Sequence, residues 1–244
     1  MIVDTADFVF KASPEIARAR RVLIKPCAAY PVPYPITSSP EMISKVIEGI
    51  REVSDADILI LEGTPGGGPI YPVYQALNYN FPRVLLLDVK DCIWVEVDNP
   101  LPKPFAVPTF WIPNVILSSD YLITLAPLKI INERPEFSVF NLLSALPGNK
   151  YSSRNSGGWD SLYSLGIDKV IADLYFTLPF DMGIIEGRQK FTGKNQQITP
   201  GTVEDFGKVI YGDPFDIDNE VCQLLGIKSE YLDLIKVARV GFEA

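Results

Sequence analysis

Residues 21–41, RVLIKPCAAYPVPYPITSSPE, decide the fold. Val22-Leu23-Ile24 is an apolar run of strand length, and Lys25-Pro26 stops it. Pro31, Pro33, Pro35 and Pro40 then exclude helix until Ser39-Pro40-Glu41. There a capping serine, a proline at the first helical position and an acid in the first turn mark a helix start. The stretch therefore sets a lysine ammonium at the end of a strand, facing the beginning of a helix.

Working outward, Met42, Ile43, Val46, Ile47, Ile50 and Val53 recur at helical spacing and predict an amphipathic helix of about three turns. Residues 58–61 and 84–87 read as buried strands. Between them lie the loop Glu62-Gly63-Thr64-Pro65-Gly66-Gly67-Gly68 and a helix opening at Pro69. Residues 121–125 are a further buried strand, followed by Ala126-Pro127-Leu128-Lys129, a second lysine just past a strand. Apolar strands alternating with amphipathic helices predict right-handed crossovers, hence an α/β fold with a mainly parallel central sheet and helices on both faces.

Residues 92–113 break the pattern. Ile93, Val95 and Val97 alternate with Trp94, Glu96 and Asp98, and a proline cluster follows, which predicts a β excursion at a sheet edge. Beyond it, residues 137–146 read as helix, 149–158 as a polar loop with Lys150 and Arg154, and 159–174 as helix with a break at Gly166. A strand over 180–185 bears Asp181 and ends at Glu186-Gly187. Residues 188–202 read as loop, 208–211 as the last strand, and helices open at Asp213-Pro214 and Ser229. At the amino end an extended segment over 8–10 precedes a helical turn from Ser13-Pro14-Glu15. Without a repeat or a linker, residues 1–244 are expected to form a single α/β domain.

Composition narrows the chemistry. A chain of 244 residues buries about 70–75% of its unfolded surface and needs no staple. Net charge of −8 argues against nucleic acid and anionic membranes as partners. Cys27, Cys92 and Cys222 are widely spaced, which fits a reduced cytoplasmic setting, and neither a signal peptide nor a spanning segment is expected. The absence of histidine removes the commonest general base and most zinc sites. Chemistry then rests on Lys, Asp, Glu, Tyr or Cys, or on a bound cofactor of a kind the residues leave unknown.

Ligands of open α/β sheets bind beyond the carboxyl ends of the strands. That rule assembles Lys25, the loop from Glu62 to Gly68, Lys129, Glu186 and Asp213 into one rim suited to a phosphate or carboxylate. The loop has GxxxxG spacing, yet Pro69 stands where a phosphate loop needs lysine, which leaves a generic amide nest or a tight turn. The run Asp213, Asp216, Asp218, Glu220 lacks the glycine and distal glutamate of a calcium loop, so helix capping is the preferred reading and no metal site is expected. Asp181, within an apolar strand, must be paired or have a raised pKa.

These stretches, taken in order, resemble the domain of unknown function 362 family. The matching segments are Leu23-Ile24-Lys25-Pro26, Thr37-Ser38-Ser39-Pro40-Glu41, Pro127-Leu128-Lys129, Asn141, Asp181, Glu186-Gly187, and Gly212-Asp213-Pro214 with Asp218. Cys27 stands where the family has asparagine, Phe140 where it has lysine, and no histidine follows Lys129. The cysteine-rich iron–sulfur module of many relatives is missing. The resemblance implies a cytoplasmic α/β protein and lends no reaction.

Two functions are open at this point. In the first, a small anionic ligand or cofactor binds at the rim. Lys25 and Lys129 supply charge or a nucleophile, Asp181 and Glu186 move protons, and Asn141 orients. Thr37, Ser38, Ser39, Gly66, Gly67, Asp213 and Asp218 complete the binding surface. In the second, the protein is a non-catalytic binding or partner subunit. Its signature residues serve the fold, and the segment 101–113, with Phe105, Phe110 and Trp111, offers a partner or homodimer contact.

Overall fold

The computed structural model describes residues 1–152 and 158–242; the expected loop residue Arg154 lies outside them. The strands are β1 (Ile2–Asp4), β2 (Arg21–Pro26), β3 (Asp57–Glu62), β4 (Val84–Asp88), β5 (Trp94–Asp98), β6 (Thr109–Pro113), β7 (Tyr121–Ile131), β8 (Arg134–Pro135), β9 (Met182–Gly193) and β10 (Thr202–Gly212). The helices are α1 (Pro14–Arg18), α2 (Pro40–Arg51), α3 (Tyr71–Ala76), α4 (Asn114–Leu117), α5 (Asp160–Ser164), α6 (Ile167–Thr177), α7 (Pro214–Leu225) and α8 (Glu230–Phe242).

The main sheet runs β1-β10-β9-β7-β2-β3-β4, with the short β8 hydrogen-bonded to β7. Pairings β9-β7, β7-β2, β2-β3 and β3-β4 are parallel. The edge pairings β9-β10 and β10-β1 are antiparallel. The chain winds from β2 through β3 to β4 and then returns to the other side of β2 as β7. The β2/β7 boundary is therefore where the winding reverses, the place a parallel sheet leaves a crevice beyond its carboxyl ends.

Alternation along the strands builds two cores. Val22, Ile24, Ile58, Ile60, Ile123 and Leu125 pack under α2 and α3 on one face. Leu23, Leu59 and Leu61 join Val170, Ile171, Val221 and Ile235 on the other. Side chains of successive strand residues point to opposite faces, so a run such as VLI feeds both. Ser39 caps α2 by accepting from the Met42 amide at 3.1 Å, and Met42, Ile43, Val46, Ile47 and Ile50 are its buried stripe.

Several expectations change. The strand at the amino end is β1, not residues 8–10; Phe8 and Phe10 instead insert as core side chains. Residues 137–146 form a 3-10 helix over Phe140–Ala145 rather than a regular helix. The segment 188–202 is a loop only over residues 194–201. β9 continues to Gly193 because its extension is bonded on both sides, to β10 from Thr202 and to the end of β7, and so needs no apolar run. Likewise β7 runs past Leu125 to Ile131, so Lys129 lies inside a strand. Gly166, at φ 89°, separates α5 from α6.

Strands β5 and β6 form their own two-stranded sheet after edge strand β4. Phe110 and Ile112 are buried in the molecule's own core, and Asp173 of α6 accepts from the amides of Phe105, Ala106 and Val107 at 2.7–2.9 Å. Phe110 is thus unavailable to a partner. Among the described residues no helix is long and apolar enough to cross a membrane.

Candidate functional site

Lys25 lies two residues after Leu23 and at the end of β2, with no exposed surface. Its ammonium donates to Pro26 O at 2.8 Å, Glu62 Oε2 at 3.0 Å and Asn141 Oδ1 at 3.3 Å. Those bonds occupy every donor an ammonium has. Glu62, at the end of neighbouring β3, also accepts from the Ala28 amide at 2.8 Å and the Gly63 amide at 2.9 Å. Asn141 returns its amide protons to Lys25 O, Thr124 Oγ1 and Leu125 O at 3.1–3.3 Å. Burial draws the Lys25 pKa down and the Glu62 carboxylate opposes that. The group is a closed ion pair with nothing left for a ligand.

Lys129 reaches the same rim from β7, near enough to repel Lys25. Its ammonium contacts Cys27 Sγ at 3.2 Å, Gln196 Oε1 at 2.9 Å and Glu136 Oε2 at 3.5 Å. Gln196 in turn donates to Glu136 Oε2 at 2.6 Å. Burial acts most strongly on Lys129 and favours the neutral amine, but negative charge at Cys27 and Glu136 outweighs it and the pKa rises. Cys27 is itself pushed up by burial, and the Lys129 ammonium opposes that.

Unlike Lys25, Lys129 faces a cavity. A cleft of about 40 Å³ is lined by Cys27, Tyr30, Lys129, Glu136, Asn141 and Trp159, among others. A wider basin of about 440 Å³ lies against it, bounded by Tyr30, Arg134, Glu136, Tyr163 and Gln196. Tyr30, Glu136, Tyr163 and Gln196 border both and together line the passage between them. Arg134 stacks over Phe140 at 5.0 Å, and burial next to Glu136 pushes the Tyr30 hydroxyl up to about 12.

The other expected residues divide. Glu186 is at the rim and fully buried, but it is already engaged. It accepts from Ser39 N at 3.0 Å, Ser39 Oγ at 2.7 Å and Arg188 Nη2 at 2.8 Å. The N-terminus of α2, read as an anion cradle, is thus filled by the protein's own carboxylate. Ser38 bridges the Cys27 amide to Leu125 O, and Thr37 donates to Val32 O at 2.6 Å. Both are loop braces.

Asp181 is a correction of position. It precedes β9 and accepts from the Leu122 amide at 2.8 Å, at the amino ends of the parallel strands. It therefore sits on the rim opposite Lys25. Gly66 and Gly67 are a turn closed by the Gly67 amide on Thr64 O, packed near Asn149 and absent from the cleft lining. Asp213 caps α7 through the Asp216 amide at 3.0 Å. Asp218 is buried in α7, where burial pushes its carboxyl up to about 7 against bonds from Ser138, Val139 and Tyr231. It ties α7 and α8 to the segment after β8.

The sequence placed Glu62 on the rim as the start of its loop, whereas Glu136, Gln196 and Tyr30 were not singled out. Glu62 had a signal, since it ends the apolar run ILILE as Lys25 ends VLIK. Glu136 and Gln196 had none, because their use depends on how β8 and the β9-β10 ribbon fold over β7. Among the described residues no group of three or more Cys, Asp or Glu is placed to hold a metal ion.

Comparison with known proteins follows from this geometry. Among curated proteins no significant match was found. Among solved structures, the lactate racemase apoprotein from Thermoanaerobacterium thermosaccharolyticum superposes with a TM-score of 0.56 at 11% identity. The match covers 89% of this chain but 52% of that one, so the chain spans about half the neighbour's length, and the likeness is one of α/β fold. Residues 22–223 match the family described as Domain of unknown function (DUF362). That span holds the lysine-bearing ends of β2 and β7 and the acids that meet them, and by it the chain belongs to the domain of unknown function 362 family.

Proposed function

We propose that the protein binds a small anionic molecule through Lys129, with the basin as vestibule and Gln196 as the group displaced on entry. The observation that carries this reading is the buried Lys129 ammonium on the wall of the cleft, balanced by Glu136 at 3.5 Å rather than closed in a tight pair. Cation and low dielectric together favour a carboxylate or phosphate oxygen. Lys129 acts as a charge anchor, since its raised pKa keeps it protonated. Glu136 holds the ammonium in place while the ligand takes the position of Gln196 Oε1. The structural neighbour is named for lactate, a small carboxylate, which agrees with this ligand class.

A second reading is favoured by the internal bonding of Lys25, Glu186 and Asp218, which leaves those residues to the fold. In that reading the protein binds but does not catalyse. Both readings share the Lys129 cleft.

The test is a thermal-shift titration with acetate, lactate, malonate, phosphate and sulfate on the wild type and Lys129→Met. A ligand at a hundred times its Kd stabilises the folded form by about 2.7 kcal/mol. We expect at least one anion to raise the wild-type midpoint and leave the variant unmoved. Equal shifts in both, or none across the panel, contradict the proposal.

A further inference from the structure

We propose that Cys27 is a peroxide-reactive thiol whose resolving partner is Lys129, so that oxidation joins the two side chains through a sulfur–nitrogen bond. This goes beyond anion binding and does not depend on it.

Three observations carry it. The Lys129 nitrogen is 3.2 Å from the Cys27 sulfur, so bond formation needs only a small approach of two side chains already in contact. Both line the same cleft. Its free space of about 40 Å³ is enough for a molecule the size of hydrogen peroxide, and it adjoins the wider basin. The other two thiols are free and engaged elsewhere. Cys92 Sγ contacts Asp88 O at 3.3 Å, and Cys222 is buried in the α7 core. A disulfide is therefore not the outlet for an oxidised Cys27.

The chemistry balances in two steps. The Cys27 sulfur attacks one peroxide oxygen, an S–O bond forms, the O–O bond breaks, and the second oxygen leaves as water with the thiol proton. Sulfur loses two electrons and the peroxide gains them, giving a sulfenic acid. Lys129 then releases one proton through Glu136 at 3.5 Å to solvent, and its lone pair attacks the sulfur. The S–OH bond breaks, and the hydroxyl leaves as water with a second ammonium proton. Sulfenic acids are known to condense with a backbone nitrogen in this way; here an amine occupies the equivalent position. The product has lost the Lys129 charge, so the oxidised cleft would no longer attract an anion.

The experiment treats the full-length protein with hydrogen peroxide and follows it by intact mass and peptide mapping. We expect a species about 2 Da lighter than the reduced protein, with the peptides of Cys27 and Lys129 linked, and its reversal by a thiol reductant. In Lys129→Arg, which keeps the charge but cannot condense, Cys27 should gain oxygens instead. Should that variant not fold, the wild-type peptide map decides alone. Oxygen added to Cys27 with Lys129 unlinked, a bridge that retains oxygen, or an inert Cys27 would each overturn the proposal.

Discussion

Two lysines end up buried at one rim of one sheet, and their surroundings make them opposites. Lys25 meets a carboxylate at 3.0 Å, a carbonyl and an amide, and it lines neither the cleft nor the basin. Lys129 meets a thiol, an amide and a carboxylate at 3.5 Å, with a cleft alongside. A buried charge with all its donors matched is a structural member, because moving any partner costs more than a small ligand returns. A buried charge with a soft partner and free volume can exchange that partner for a ligand. Position on the rim does not separate the two; the completeness of hydrogen bonding does.

The largest effect should come from breaking the closed pair. Lys25→Met strands the Glu62 carboxylate in the core and should cost about 3–5 kcal/mol in a urea melt. A loss below about 1 kcal/mol would show that Lys25 is not a core ion. Asn141→Leu removes an acceptor from Lys25 and leaves its ammonium one bond short, which should cost about 1–3 kcal/mol by the same measurement. If it were neutral, the pair would not need its amide.

Lys129→Met should destabilise less than Lys25→Met, since Glu136 retains Gln196 and Arg134 at 2.6 and 3.8 Å. Its pH signature should also differ in sign. The folded Lys129 pKa is above the ordinary 10.5, so its contribution is present below that pH and is lost as pH rises through the folded value. The folded Lys25 pKa is below 10.5, so its ionisation costs stability that returns as pH climbs toward 10.5. Alkaline unfolding of the two variants should shift oppositely relative to wild type; a common shift would erase the distinction. The smallest effect is expected for Gln196→Ala, within about 0.5–1.5 kcal/mol of wild type, while it unplugs the passage and changes anion affinity. A large loss of stability there would make Gln196 a brace rather than a gate.

The sequence revealed the scaffold better than the site, for a physical reason. Apolar runs such as VLI and ILIL declare buried parallel strands because both faces must be covered, whereas VLLL forms the edge strand β4, where Leu85 is exposed and the others are half-buried. The lysines toward the carboxyl ends of β2 and β7 could be placed on a rim from that alone. Which charge meets which could not, because Glu62 and Asn141 arrive from 37 and 116 residues away. Asp181 was misplaced by one residue of strand boundary. Set inside the strand it would point into the sheet, whereas set before Met182 it caps the opposite rim. Glu136 and Gln196 enter on a short antiparallel return and a polar ribbon, where register comes from backbone bonding and leaves no apolar pattern to read.

The most direct test of the central contrast is a bromide-soaked crystal examined by anomalous scattering, since bromide is an anion small enough for the cleft. The account predicts a peak in contact with the Lys129 ammonium, with Gln196 displaced, and none beside Lys25. A peak at Lys25, or an undisturbed Gln196 with no anion at Lys129, would contradict it.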